Sequence, residues 1–183
     1  QSAQQAEKKQ EDVPVSSSSS SASQSGASSQ ASSQASSAAP SDAASAPASP
    51  SPSYVWPVEG EVTQSFTGDE LVYNETMGDW RTHNGIDVVS KFGGAVFSPS
   101  AGEVKLAQTD DALWGGVIEV QSGDVTLRFC GLDEVFVKEG DTLVQGDSIG
   151  VAGEVPAEAA AGAHLHVECM QGGQYIDPAK LFG

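Results

Sequence analysis

The three histidines of this chain all fall in two short motifs. Asp87 follows His83 after four residues, and His166 follows His164 after two. Imidazole nitrogens and carboxylate oxygens are common protein ligands of zinc. The alternative for each residue is a histidine buried in a core with its hydrogen bonds satisfied. The concentration of all three in ligand-like spacings favours a metal site.

The second motif lies in a run that alternates like a strand. In HLHVEC, the polar side chains share one face and the apolar side chains share the other: His164, His166 and Glu168 on the first, Leu165, Val167 and Cys169 on the second. The alternation predicts two imidazoles side by side above a face that packs into the core. One imidazole can then bind a metal while its neighbour acts on a water beside it.

The first motif requires a bend in the chain. In a straight strand, the Cα atoms of His83 and Asp87 would lie about 13 Å apart, too far for two ligands that each approach zinc to about 2.0–2.2 Å. Neighbouring glycine and β-branched residues oppose a helix. Asn84-Gly85 tolerates positive φ and predicts the bend. We predict that His83, Asp87 and His166 hold one zinc ion with an open fourth position, the pattern of catalytic sites. Harder, oxygen-preferring ions fit two imidazoles less well.

Composition divides the 183 residues into two parts. Residues 13–52 are almost entirely Ser, Ala, Gln and Pro, and the tetrapeptide ASSQ repeats at residues 27–30 and 31–34. Such side chains bury too little apolar surface to offset about 1–2 kcal/mol of backbone entropy per residue. We predict that residues 1–52 form a disordered tether, with a coil span of roughly 35 Å for ~40 residues. A solvated alanine-rich helix is the alternative, which the serines and prolines oppose.

Residues 53–183 are numerous enough for one domain with a proper core. Short runs rich in Val, Ile, Thr and Phe recur there, bounded by turn residues, at a spacing of about 8–12 residues that is typical of an all-β sandwich or barrel. QSGD, residues 121–124, predicts a hairpin. Residues 154–163 are expected to form a loop with at most a turn or two of helix.

Charge and hydropathy exclude some partners. The net charge of −17, from 25 acids and 8 bases, argues against nucleic acid, because a binder needs a basic stripe. No apolar stretch has the length of a transmembrane helix. We expect a signal or membrane anchor before Gln1 in the full-length protein, because the chain lacks an initiator Met. A long tether before a globular domain is typical of an extracytoplasmic protein held away from a membrane. Cys130 and Cys169 leave the redox compartment and their pairing open, since both fit small buried hydrophobic positions.

The paired motifs resemble a known family. H-x-G-I-D followed far downstream by H-L-H-x-E is similar to the lysostaphin-type, or LytM-like, zinc endopeptidases, which cut peptide cross-links in bacterial cell walls. The resemblance covers residues 54–183. It implies a compact two-sheet antiparallel sandwich with few or no helices. It also implies one zinc ion held by His83, Asp87 and His166, with His164 as the catalytic histidine.

One position departs from the family pattern. The family usually has another catalytic histidine in a Tyr-x-His-Leu segment, which here is Phe129-Cys130-Gly131-Leu132. Loss of a positioned general acid/base or oxyanion donor lowers the rate by about 10²–10⁴. No zinc ligand is missing, so we expect metal binding with impaired peptide cleavage. By strand alternation Cys130 faces away from Gly131, and we interpret it as a buried residue and not as a substitute nucleophile.

A narrower resemblance concerns the segment YNETMGDWRTHNGIDV, where Trp80-Arg81 precedes the ligand histidine. It is similar to a branch of that family, the stage II sporulation protein Q proteins of endospore-forming bacteria. Those proteins are anchored in the forespore membrane, project between two membranes and dock stage III sporulation protein AH of the mother cell. The resemblance implies an extracytoplasmic docking role and an AH-like partner, met through an exposed sheet edge. The alternative for Trp80-Arg81 is a packing aromatic beside a surface charge.

Three functions are consistent with these observations. The first is a zinc-binding docking domain of a cell-envelope sporulation protein, with impaired peptidase activity. The second is an active zinc endopeptidase that cleaves peptidoglycan cross-links. The third is a domain that binds peptidoglycan peptides without turnover. The state of the metal site and the partner distinguish them.

Overall fold

The computed structural model describes residues 53–183, and the tether predicted for residues 1–52 lies outside them. The strands of the described part, in chain order, are β1 (Val62–Gln64), β2 (Leu71–Asn74), β3 (Asp79–Thr82), β4 (Gly85–Val89), β5 (Ala95–Phe97), β6 (Gly102–Asp111), β7 (Gly115–Ser122), β8 (Val125–Val135), β9 (Thr142–Leu143), β10 (Ser148–Ala152), β11 (His164–Gln171) and β12 (Gln174–Ile176). A 3₁₀ segment spans Pro156–Ala161, and helix α1 spans Ala179–Phe182. The predicted all-β class with few helices is confirmed.

The strands pair antiparallel throughout. The main order is β1-β4-β11-β8-β7-β6-β9, with β12 beside the end of β11. Strand β8 is long enough to belong to two groups of strands. Its first part pairs with β7 and β11, and its last part pairs with β10, which in turn pairs with β5. Hydrogen bonds through β8 therefore link the two parts of the predicted sandwich.

The hydrophobic core fixes the strands that will carry the histidines. Ile86 and Val88 of β4 and Leu165 and Val167 of β11 are fully buried in it. Burial of each such side chain stabilises the fold by roughly 1.5–3 kcal/mol. The apolar face predicted for β11 is confirmed, since Cys169 also lies in the core. Strands β4 and β11 are therefore held in one register by their core faces.

One of two hairpins in the structure was predicted from its turn residues, and the other was not. The QSGD hairpin is confirmed, because Ser122 pairs with Val125 across a turn in which Gly123 has a φ of 61°. The hairpin of β2 and β3 was not predicted. Its turn is closed by the side chain of Asn74, whose Oδ1 accepts the Met77 amide at 2.8 Å. Strands β2 and β3 form a separate two-stranded sheet.

Helical structure is sparse in the described residues. The 3₁₀ segment lies within residues 154–163, where a short helical turn was expected. Between residues 53 and 183, neither helical segment has the length and apolar character needed to cross a membrane.

Candidate metal centre

The pairing of β4 with β11 brings two of the predicted ligands together. Asp87 lies directly opposite His166 in the ladder, and directly opposite residues of an antiparallel pair project to the same face. The Oδ1 atom of Asp87 is 2.7 Å from Nδ1 of His166. Both side chains are buried. A contact between residues 79 positions apart therefore follows from strand register alone.

His83 reaches the same point from the connection between β3 and β4. Its Nε2 atom lies 3.1 Å from Oδ1 of Asp87 and 3.3 Å from Nδ1 of His166. The segment after β1 holds it in place. Thr67 Oγ1 accepts the His83 amide at 2.9 Å, and the carbonyl oxygen of Ser65 lies 3.0 Å from the ring atom Nδ1. The structure thus brings the three predicted ligands to one point.

The bend before Asp87 exists, but the physical reason predicted for Gly85 was wrong. Gly85 does not have a positive φ. A Cβ atom there would instead lie 2.4 Å from the carbonyl oxygen of Val167 and 2.9 Å from Nε2 of His166. Gly85 allows the β4 backbone to approach β11 closely beneath the imidazole. The bend lies between the end of β3 at Thr82 and the start of β4 at Gly85.

A further carboxylate in the cluster was not predicted from the sequence. Glu158 lies in the 3₁₀ segment, and its Oε2 atom is 3.2 Å from Nε2 of His164 and 3.4 Å from Nδ1 of His166. One ligand atom from each of four residues lies within 4.8 Å of the others: His83, Asp87, Glu158 and His166. The sequence around Glu158 is a run of alanines without a ligand-like spacing, so only the three-dimensional fold relates it to the histidines.

His164 lies beside the four-residue cluster. Its Nε2 atom is 3.9 Å from Oδ1 of Asp87, whereas its Nδ1 atom is 2.8 Å from the carbonyl oxygen of Gly162. The predicted shared face of His164 and His166 is therefore observed, with different surroundings for each ring. His164 is placed to hold a proton next to Glu158, and His166 is placed to direct Nδ1 into the cluster.

Charge within the cluster is strongly coupled. Burial alone would lower the pKa of His166, but the neighbouring carboxylates, Asp87 first, raise it well above its usual range. Burial raises the pKa of Asp87, but hydrogen bonds with His166 and His83 outweigh it and hold that pKa far below its usual range. Burial also raises the pKa of Glu158, but hydrogen bonds with His164 and His166 outweigh it and lower that pKa to about 2. The carboxylates are thus charged at neutral pH, and a proton competes with any metal for the imidazoles.

The donor set fits a zinc ion. Because Nδ1 of His83 faces the Ser65 carbonyl oxygen, that nitrogen donates and the Nε2 lone pair points inward. Together with Nδ1 of His166 and Oδ1 of Asp87, it gives three converging acceptor atoms. The outer nitrogen of His166 has no hydrogen-bond partner among the described residues and lies 3.7 Å from Oε1 of Glu168. A carboxylate behind a histidine is the usual second layer of a zinc site.

The backbone conformation and the close neighbours of position 131 favour glycine. Gly131 has a φ of 84°, and a Cβ atom there would lie 2.7 Å from Cγ2 of Val155 and 3.1 Å from the carbonyl oxygen of His164. A side chain at this position would therefore be strained both by the backbone conformation and by its neighbours. Nothing from this position reaches the cluster.

The cysteines are both free and fully buried. Cys130 lies opposite His166 in the ladder, on the face of the site, and Cys169 lies on the core face. Their positions on opposite faces of the sheet prevent a disulfide. Burial raises the pKa of each thiol to about 12. The interpretation of Cys130 as a buried residue is confirmed.

Two curated proteins are similar to part of this chain. Stage II sporulation protein Q of Bacillus subtilis (strain 168) is 33% identical over 115 residues, which are 61% of this chain and 39% of that protein. Peptidoglycan DD-endopeptidase ShyB of Vibrio cholerae serotype O1 is 26% identical over 98 residues, which are 54% of this chain and 22% of that protein. The chain therefore spans well under half the length of either relative.

A solved structure shares the fold. The crystal structure of a SpoIIIAH and SpoIIQ complex contains a chain that superposes with a TM-score of 0.61 at 26% identity, covering 70% of this chain and 99% of the other. The profile of peptidase family M23, whose members depend on zinc, matches residues 81–178. That match includes every residue of the cluster and more than half of the chain, and it shows that the chain belongs to peptidase family M23.

Proposed function

We propose that this chain is the zinc-binding docking domain of an extracytoplasmic sporulation protein, and that its peptidase chemistry is impaired. The observation that carries the proposal is position 131, where a glycine with a positive φ stands at the place of a catalytic histidine while the ligand cluster is intact. In this proposal residues 1–52 are the tether. A membrane anchor precedes the chain, and the domain faces the space between forespore and mother cell.

The metal part of the proposal depends on three side chains. His83 Nε2, His166 Nδ1 and Asp87 Oδ1 would hold one zinc ion, since these three atoms converge to 2.7–3.3 Å from one another and would need to separate only slightly around an ion. When bound, zinc supplies Lewis acidity and a water of lowered pKa. His164 would then be the one histidine available to move a proton, at Nε2, because the other two histidines of the chain are ligands. Its partner there is Glu158.

The docking part is supported by the hairpin of β2 and β3. Leu71, Tyr73 and Trp80 project from one face of it and are 58%, 53% and 66% exposed. The two aromatic rings pack with their centroids 5.6 Å apart. Within the described residues each strand of the hairpin also has one unpaired edge. Exposed aromatics beside a free edge suit the addition of a partner strand.

The partner we propose is a protein like stage III sporulation protein AH. The B. subtilis relative is a stage II sporulation protein, and the structural neighbour is a complex of SpoIIIAH and SpoIIQ. The structural likeness covers 70% of this chain, which supports a similar docking surface here. The net charge of −17 argues against nucleic acid as the partner.

The test combines titration with a wall-digestion assay on the full 183-residue chain. We expect saturable binding to an AH-like protein of the same organism, weakened by about tenfold or more in Trp80→Ser, as for an interface aromatic. Phe92→Ser is the matched control, because Phe92 is similarly exposed at 63% but lies outside the hairpin. Purified wall should release no peptide fragments. Zinc-dependent release of such fragments by the unaltered chain would contradict the proposal.

An active endopeptidase is the second candidate, favoured by the intact ligand cluster and His164. It requires wall hydrolysis that disappears in His166→Ala and in a strong chelator. Binding of peptidoglycan peptides without turnover is a third candidate. It is favoured by a cavity of about 320 Å³ beside the cluster, lined in part by Trp114, Arg128 and Tyr175. Co-sedimentation with purified wall, with and without zinc, separates it from docking.

A further inference from the structure

Glu158 is the acidic member of the cluster that the function proposed above leaves without a role in metal binding. We propose that Glu158 is a fourth zinc ligand, supplied by the chain itself, and that it closes the position which a catalytic zinc site keeps open for water. The inference rests on the proposed zinc site and adds its coordination. It makes the site structural and not catalytic.

The separations of the ligand atoms support this. Four ligands at 2.0–2.2 Å around a tetrahedral ion lie roughly 3.3–3.6 Å from one another. Glu158 Oε2 lies 3.4 Å from Nδ1 of His166, and Oε1 lies 3.8 Å from Nε2 of His83. The pair of His83 and His166 is separated by 3.3 Å. One oxygen of Glu158 therefore lies at the distance of a fourth ligand from His166, and its other oxygen faces His83 from slightly farther away.

The 3₁₀ segment is fastened on both sides, which fixes Glu158 over the cluster. The amide of Ala157 donates to the carbonyl oxygen of Leu113 at 2.9 Å. From the other side, Asn74 Nδ2 donates to the Ala157 carbonyl oxygen at 3.1 Å, and the Ala160 amide donates to Thr76 Oγ1 at 2.9 Å. The turn of the β2–β3 hairpin thus holds the segment against the site. Glu158 itself leaves helical geometry, with φ −133° and ψ 24°.

A closed site accounts for the state of position 131. A zinc ion with four protein ligands has no water to activate, so a second catalytic histidine has no substrate for its proton transfer. Gly131 is then tolerated, and its backbone is free to take a positive φ. In this inference, Glu158 and Gly131 both fit a zinc site that is structural and not catalytic.

Cobalt(II) substitution in the full chain tests the inference with a readout that does not depend on activity. The visible spectrum of the unaltered protein should show a four-coordinate ion and should not change on addition of azide. In Glu158→Gln, azide should shift the spectrum, and the Co(II) and Zn(II) affinities measured against a chelator should fall by about tenfold or more. Glu154→Gln is the matched control, because Glu154 is exposed in the same stretch and outside the cluster.

The outcomes separate this inference from the proposed zinc site. An azide-sensitive spectrum in the unaltered chain, or unchanged affinity in Glu158→Gln, would overturn the role of Glu158 and leave the other three ligands standing. Failure of the unaltered chain to bind either metal would overturn both. Far-UV circular dichroism of the metal-free Glu158→Gln protein should match that of the unaltered protein, and Glu158→His, which restores a ligand, should recover azide insensitivity.

Discussion

The two halves of the site differ in how they are built. One half comes from the paired strands β4 and β11, whose register puts Asp87 and His166 in contact. The other half comes from Gly131 in β8, which has a positive φ, and from Glu158 in the 3₁₀ segment. The first half carries the H-x-G-I-D and H-L-H-x-E motifs, and the second has a glycine where the sequence resemblance places a catalytic histidine.

In the proposed function, the ligands Asp87 and His166 and the position without a catalytic histidine lie in different parts of this fold. The first half is the ligand half, because it holds Asp87 and His166. Core packing fixes it, since the opposite faces of its two strands are buried in the core through Ile86, Val88, Leu165 and Val167. A change there would disturb the core as well as the ion. The other half includes Glu158 in the 3₁₀ segment, a connection between strands where a residue can change with less effect on the core than within a strand. In the proposed function, the glycine at position 131 accounts for impaired catalysis while Asp87 and His166 remain in place to bind zinc.

The largest expected effect comes from the ligand half. His166→Ala should abolish stoichiometric zinc binding, because it removes the nitrogen that contacts Asp87, His83 and Glu158. His164→Ala, two residues away on the same face, should leave zinc content unchanged. Inductively coupled plasma mass spectrometry of the two purified proteins measures this. Equal loss of zinc in both variants would mean that the effect of His166→Ala does not come from the loss of a ligand.

The sequence predicted the convergence of Asp87 and His166 and pointed to Gly131, but it did not predict Glu158. Alternation in HLHVEC predicted the common face of His164 and His166, because a strand has a period of two. The approach of His83 followed from the need for a bend, although the reason given for Gly85 was wrong. Glu158 could not be predicted, because no local periodicity relates a residue in an alanine-rich turn to strands distant in the chain. The hairpin of β2 and β3 was missed because its strands are short and have no buried residue that would mark a core face.

The next effect concerns the bend at position 131. Gly131→His should not restore peptidase activity and should destabilise the fold, because the left-handed backbone costs about 1–2 kcal/mol for a residue with a Cβ and the contact with Val155 adds about 1–3 kcal/mol of overpacking. Urea unfolding gives the free-energy difference.

Gly123→His is the control for that substitution. Gly123 has a φ of 61°, and a Cβ atom added there would meet no other heavy atom within 4 Å, so this position carries the backbone strain without the clash. We expect Gly131→His to lose more free energy of unfolding than Gly123→His. A Gly131→His protein with full stability and new wall-hydrolysing activity would show that the second half differs from an active enzyme by one side chain alone.

A smaller effect is expected behind the ligand half. Glu168→Gln should weaken zinc binding by about 10–100-fold, the range for carboxylates behind a metal-bound histidine, since Oε1 of Glu168 is 3.7 Å from Nε2 of His166. Glu119→Gln is matched to it, because Glu119 also pairs with Arg128, at 3.5 Å, without contacting His166. Chelator competition gives both affinities. Equal weakening would assign the effect to Arg128 and not to the histidine.

The smallest expected effect is at the two cysteines. Cys130 lies opposite His166 on the face of the site, and Cys169 lies on the core face. Both thiols are fully buried with a pKa of about 12, so neither should react with iodoacetamide at about pH 8 in the folded protein, and both should react in urea. Removal of zinc should leave this unchanged if core packing, and not the ion, fixes β8 against β11. Selective labelling of Cys130 after chelation, read by mass spectrometry, would instead show that the ion holds those strands together. The core packing of β4 and β11 would then not be enough to fix the ligand half without its metal.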